Sequence, residues 1–276
     1  MATDGPATTA PDTVVLIHGL WMTALSWEHW AARYTDRGFT VIARSWPGME
    51  GDVEQLRRDP SAIEHLGVGE IADHYEGIIR DLPRPPIIMG HSFGGLLTQV
   101  LLDRGLGAAG VAIDSAPVRG ILALPLSTLR SGFPALKNPA NNHKAVTLTP
   151  EEFHYAFTNT LSEEESAAVY ARYAVPGPGR VLFQAALANL NPHAATRVDF
   201  GNDTRAPLLV IAGGVDHVSP VAVNRATARL QGESEAITAY KEFPGRSHYT
   251  LGQPGWEEVA DYALAWALKP TEIAVG

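Results

Sequence analysis

Cysteine is absent from this chain of 276 residues. That gap excludes disulfide frameworks, thiolate zinc sites and cysteine nucleophiles. Basic residues are outnumbered, 21 Lys and Arg against 30 Asp and Glu, for a net charge of -9. Such a chain lacks the clustered Lys and Arg that phosphate binding needs, so neither nucleic acid nor a membrane surface is the expected partner. No apolar run approaches the ~18 residues of a membrane span. Residues 1–12, "MATDGPATTAPD", have neither a basic n-region nor an apolar h-region, so they read as a loose tail and the expected location is cytoplasmic. The ten histidines show no metal-ligand spacing, which predicts no metal site. No cofactor is expected either. Gly67-Val68-Gly69-Glu70-Ile71-Ala72 has the letters of a dinucleotide fingerprint, but no strand precedes it. The sequon at Asn202 carries little weight without a secretion signal.

What is present is ordinary for a globular protein: 45% hydrophobic and 18% charged residues, in a length that suits one large α/β domain with an insertion. The run "VVLI" (14–17) is β-branched and continuous, as a strand covered on both faces should be. Residues 24–37 space Leu25, Trp27, Trp30, Ala31 and Tyr34 at helical intervals before Gly38 stops them. Strand 39–43, a long loop from Arg44, helix 68–82, strand 86–90, helix 93–104 and strand 110–113 follow. Alternation at this spacing implies crossover units and a parallel sheet. It stops near Pro117 and resumes at "PLLVIAGG", after which helix 220–230, strand 235–243 and helix 255–268 complete the chain. Residues 118–203 between them read as all-helical. Thr149 with Pro150 starts one helix, and a Ser162/Glu165 capping box starts another. The expected division is therefore a tail at 1–12, a core at 13–117 and 204–269, and a helical cap at 118–203.

The chemistry concentrates in "GHSFGG". Gly90-His91-Ser92-Phe93-Gly94 fits G-x-S-x-G with a strand before it and a helix after. A serine on so tight a turn needs glycine two residues to either side, where a side chain would strike the neighbouring strand or helix. Its hydroxyl then stands beyond the carboxyl end of a central strand, near the N–H groups that start the helix. A nucleophilic serine needs a base, and the base an orienting acid. "GGVDHVSP" puts Asp216 just past one strand, and "GRSHYTL" puts His248 just past the last. Asp114 also follows a strand ("VAID") and is the rival acid. His91 and His217 read as structural loop residues, and Trp27 as core.

These motifs, together with "LIHGLW", resemble the α/β-hydrolase superfamily from Val14 to about Leu268, of the serine esterase type with an inserted cap. The resemblance implies a mostly parallel sheet flanked by helices and a catalytic triad of Ser92, Asp216 and His248. It implies oxyanion donors at the N–H groups of Leu20 and Phe93, with Trp21 the alternative to Leu20. It further implies an ester or lactone hydrolase acting on a small, largely apolar molecule through an acyl-enzyme. Serine at position 92 disfavours the epoxide hydrolases and haloalkane dehalogenases, which need a carboxylate there. A lyase or perhydrolase using the same triad, and a receptor that only binds a ligand, remain the alternatives. Trp21, Phe153 and Phe157 are the expected pocket residues. The sequence carries no signal of oligomeric state.

Overall fold

The computed structural model describes residues 10–123 and 125–271, so the expected tail at 1–12 lies outside the described residues over 1–9. In chain order the elements are β1 (Thr13–Ile17), α1 (Glu28–Asp36), β2 (Thr40–Ala43), α2 (Val53–Arg58), α3 (Val68–Arg80), β3 (Ile87–His91), α4 (Phe93–Asp103) and β4 (Ala109–Ile113). Next come α5 (Leu126–Leu136), β5 (Ala145–Val146), α6 (Pro150–Ala156), α7 (Glu163–Tyr173), β6 (Gly177–Pro178) and α8 (Gly179–Ala186). β7 (Leu208–Gly213), α9 (Val221–Gln231), β8 (Thr238–Phe243) and α10 (Trp256–Leu268) close the fold.

Six strands form one sheet in the order β2-β1-β3-β4-β7-β8, every pairing parallel. Side chains alternate between its two faces, and both faces are covered. Val15, Ile17 and Ile88 point into a core shared with Tyr75 of α3, Leu96 of α4 and Val223 of α9. Val14, Leu16 and Met89 point the other way, against Trp30 and Tyr34 of α1 and Val259 and Leu264 of α10. Trp27 joins this second core fully buried, edge-on to Trp30 at 5.2 Å between ring centroids. Burying one such aromatic contributes about 1.5–3 kcal/mol.

The insertion between β4 and β7 holds α5–α8, as the break in alternation predicts. Both predicted helix starts are present as full capping boxes, Thr149 with Glu152 and Ser162 with Glu165. Two expectations need correction. The long loop after Arg44 contains α2, whose own capping box pairs Asp52 with Gln55. The insertion is not all-helical, because Ala145–Val146 and Gly177–Pro178 pair as a short antiparallel ribbon. A two-residue strand is too short to show any periodicity.

The insertion is tied to the core along one flank. Arg57 of α2 donates to the carbonyls of Tyr170, Ala171 and Ala174 at the end of α7. Glu28 of α1 takes bonds from Arg172 and Tyr173, and Arg180 of α8 reaches the carbonyl of His65. Among the described residues, no helix is long and apolar enough to cross a membrane.

Candidate active site

Parallel strands place all their carboxyl ends on one edge, and there the candidate residues meet. Ser92 follows β3, Asp114 follows β4, Asp216 lies three residues past β7, and His248 five past β8. Ser92 has φ 56°, a conformation that L residues rarely adopt. Its geometry is enforced from both sides. A Cβ at Gly90 would fall on the Gly94 carbonyl, and one at Gly94 on the Ile17 carbonyl of β1. The Ser92 N–H donates to Ile113 at 2.9 Å, and its carbonyl accepts from Gly95 and Ala116. The strained turn is thereby locked into its neighbours.

His248 is fully buried, and its Nδ1 is 2.7 Å from Asp216 Oδ2. The other carboxylate oxygen of Asp216 accepts from the N–H groups of Val218 at 2.6 Å and Ser219 at 3.0 Å. With a carboxylate as partner, Nδ1 carries the ring proton and Nε2 is left as the acceptor. Among the described residues that Nε2 has no hydrogen-bond partner. Such contacts often close only when substrate is bound. The imidazole lies between two other rings, His91 at 4.6 Å and the edge-on Phe157 at 4.8 Å.

Asp114 has a different environment. It is fully buried at φ 46°, with Oδ1 accepting from the Gly213 N–H at 2.5 Å and Oδ2 without a partner among the described residues. Burial, reinforced by the nearby Asp216 charge, raises its carboxyl well above the usual range. His248 is therefore bonded to Asp216, beside a second carboxyl whose burial disfavours ionisation. His91, Asp114 and His248 are the one group among the described residues with potential ligand atoms close together, within 4.8 Å. Each histidine is engaged through one nitrogen, His91 Nε2 with the His248 carbonyl and His248 Nδ1 with Asp216, while among the described residues the other ring nitrogens have no partner.

His18 explains how the loop after β1 is shaped. Its Nδ1–H donates to the Gly19 carbonyl at 2.8 Å, and its Nε2 accepts from the Trp46 N–H at 3.0 Å. Both bonds require the neutral ring, and burial lowers its pKa to about 4. In a trans peptide the N–H points opposite the preceding carbonyl, so fixing the Gly19 carbonyl turns the Leu20 N–H away from His18. Gly19 itself lies against the nucleophile candidate, since a Cβ there would come within 2.7 Å of Ser92 Cβ. Trp21, at φ 64°, is held by the insertion. Its indole N–H donates to the Val146 carbonyl at 3.0 Å, and its own carbonyl accepts the Val175 N–H at 3.0 Å.

A cavity of about 180 Å³ opens at Ser92 and Phe93. Its walls are mostly aliphatic, with Val118, Leu129, Leu136, Leu182 and Val218 among them and the Trp21 indole beside these. Of the residues expected in the pocket, Trp21 lines this cavity. Phe153 and Phe157 do not line it. Phe157 packs on His248 and accepts the Tyr249 N–H at 2.9 Å, while Phe153 stacks behind it at 4.7 Å. Phe157, backed by Phe153, packs on the His248 ring and not on the cavity. The aliphatic liners went unpredicted because a pocket leucine and a core leucine look alike in sequence. His217 donates through Nδ1 to the Tyr155 carbonyl at 2.8 Å, the loop role expected of it.

A serine held at positive φ between a strand and a helix, a buried Asp–His pair and a parallel six-stranded sheet define a class, and comparison with known proteins agrees. Residues 14–262 match the model of the alpha/beta hydrolase family, and the chain belongs to that family. A monoacylglycerol lipase of Mycolicibacterium smegmatis is 25% identical over 277 residues, 95% of this chain and 89% of that one. Among solved structures, the monoacylglycerol lipase of Paleococcus ferrophilus superposes with a TM-score of 0.62 at 20% identity, covering 95% of this chain and 96% of that one. A pyrethroid hydrolase from Sphingobium faniae gives 0.63 at 17% identity, covering 94% and 98%.

Proposed function

We propose that this hydrolase cleaves carboxylic esters, lactones included, of small and largely apolar molecules through an acyl-enzyme on Ser92. In this reading residues 13–117 and 204–269 form the catalytic core, and 118–203 form the cap that selects substrate. The observation that carries the reading is the 2.7 Å bond from His248 Nδ1 to Asp216, which leaves Nε2 free to act as a base. His248 takes the Ser92 proton as Oγ attacks the carbonyl carbon. It then gives that proton to the departing alcohol as the tetrahedral intermediate collapses. Water repeats the sequence on the acyl-enzyme and releases the acid. Asp216 fixes the tautomer and stabilises the imidazolium that forms at each attack. The N–H groups of Leu20 and Phe93 hold the oxyanion; losing one such donor typically costs roughly 100- to 1000-fold in rate.

The aliphatic cavity beside Ser92 supports an apolar acyl or alcohol group. Relatives whose names specify monoacylglycerol and pyrethroids are a lipase and a hydrolase, which supports an ester substrate here. The test is labelling with a fluorophosphonate, adduct mapping by mass spectrometry, and turnover of p-nitrophenyl esters. A single adduct on Ser92 and loss of turnover in Ser92→Ala are expected. An adduct elsewhere, or full turnover in the variant, overturns the reading.

A further inference from the structure

Eight large apolar side chains are exposed among the described residues, and six of them belong to the insertion. A lone exposed leucine needs no explanation, but a cluster does. Leu126, Leu129 and Phe133 stand at i, i+3 and i+7 of α5, which puts them on one face. The opposite side buries Ser131 and Ala135. Leu122 lies just before α5, and Leu187 and Leu190 follow α8. Their exposures are those of residues with almost nothing over them: 85% for Leu126, 82% for Leu190 and 77% for Leu122. The two groups are stitched together by Asn189, which accepts the Gly120 N–H at 2.7 Å and donates to the Ile121 carbonyl at 3.0 Å. Leu129 both lines the cavity at Ser92 and joins the exposed face, so the apolar interior and the apolar surface are continuous.

The charge pattern here departs from the rest of the molecule. The chain as a whole carries -9, yet residues 115–150 hold Arg119, Arg130, Lys137 and Lys144 and not one Asp or Glu. Arg130 and Lys137 are exposed beside the leucines, and Arg130 is propped outward over the Tyr155 ring at 3.8 Å. The acids that bound this stretch are Asp114, which is fully buried, and Glu151 and Glu152, which share a groove with Arg130 and Phe133. An apolar helix face bordered by cations binds where buried apolar area and attraction to anionic headgroups add together. We propose that the outer face of α5, with Leu122, Leu187 and Leu190 beside it, docks on the surface of an anionic lipid aggregate and passes ester from that surface to the cavity. The whole-chain charge predicts no such partner, because a net charge averages over surfaces that differ.

The delivery step rests on the ester hydrolase reading; the docking does not. The experiment is co-sedimentation of the full chain with phosphatidylcholine–phosphatidylglycerol vesicles and with phosphatidylcholine vesicles, alongside turnover of soluble p-nitrophenyl acetate. Wild type should bind the mixed vesicles and bind the neutral ones more weakly. Leu126→Asp with Phe133→Asp, neither of which lines the cavity, should weaken binding by at least about tenfold while p-nitrophenyl acetate turnover is unchanged. Arg130→Gln with Lys137→Gln should erase the preference for the anionic vesicles. No binding of wild type to the mixed vesicles, or undiminished binding by the Asp variant, overturns the proposal. So does a dimer in analytical ultracentrifugation that the Asp variant dissociates, with no vesicle binding, since the face then belongs to a second copy. Vesicle binding is measured without turnover, so a chain inert towards every ester would overturn the function and leave this result standing.

Discussion

The imidazole of His91 donates through Nε2 to the backbone carbonyl of His248, at 2.7 Å. The residue that precedes the proposed nucleophile therefore holds the loop that carries the proposed base. Burial, and to a smaller degree the neighbouring His248 and His18, lower the His91 pKa far below its usual value, so the ring stays neutral. His91→Ala should lower kcat by about tenfold, the worth of one buried hydrogen bond, with KM little changed. Fluorophosphonate labelling of Ser92 should slow in parallel. An unchanged kcat in a folded variant would show that the loop is positioned without this bond.

Asp216 and Asp114 make opposite predictions as asparagines. Asp216→Asn removes the carboxylate bonded to His248 and permits the wrong tautomer, which should cost roughly 10³- to 10⁴-fold in kcat. Asp114→Asn resembles the neutral acid that burial already favours, so activity should stay within several-fold of wild type. Circular dichroism establishes that both fold. A large loss in Asp114→Asn with little in Asp216→Asn would reverse the assignment.

Acid should unfold this protein early. His18 titrates near 6.5 when unfolded and at about 4 when folded, so the unfolded chain binds more protons between these values. Stability then falls as pH drops through that window, by up to about 1.4 kcal/mol per pH unit for each such group. His91 acts in the same direction. Asp114 acts in the opposite one: its raised carboxyl costs stability as pH rises, and acid relieves that cost. Two histidines against one carboxyl leave a net decline in Tm from pH 6.5 to 4. His18→Asn should be less stable at pH 8 yet lose less Tm on acidification than wild type. An equal loss in both would remove His18 from the account.

The cavity walls predict how acyl length is read. Each methylene buried in the pocket contributes about 0.8 kcal/mol, so kcat/KM should rise about fourfold per CH₂ until the space is filled, then fall. Leu182→Phe should move the optimum to shorter p-nitrophenyl esters. Phe157→Ala should leave the optimum where it is and lower kcat, because that ring packs on His248 and not on the cavity. A shifted optimum in Phe157→Ala and none in Leu182→Phe would mean the acyl chain lies elsewhere.

The positions of Ser92, Asp216 and His248 were legible because each follows a strand whose apolar run is unmistakable. The glycines around Ser92 advertise a turn that only they can make. The sequence favoured Asp216 over Asp114 by chain order and family resemblance, but both close a strand, and it is their placement that shows which carboxylate His248 meets. The α2 helix was written in its Asp52/Gln55 capping box but hidden by the prolines and glycines around it. Phe153 and Phe157 stood out as aromatics, yet the side of the site that α6 covers depends on how the insertion is seated. Arg57 and Arg172 help to set that seating through contacts more than a hundred residues away along the chain.

Trp21 links those two levels. Its indole and its carbonyl are both bonded to the insertion, at Val146 and Val175, while Leu20 beside it is the proposed oxyanion donor. A foreign cap grafted onto this core would have to reproduce two main-chain contacts before any question of fit to substrate arose. Recombination among relatives is constrained in the same way. Variation should accumulate at Leu129, Leu136 or Leu182 more readily than at the ribbon that carries Val146. In this architecture the insertion, proposed to choose the substrate, is also a structural support for the loop beside Ser92, and the two can be exchanged only together.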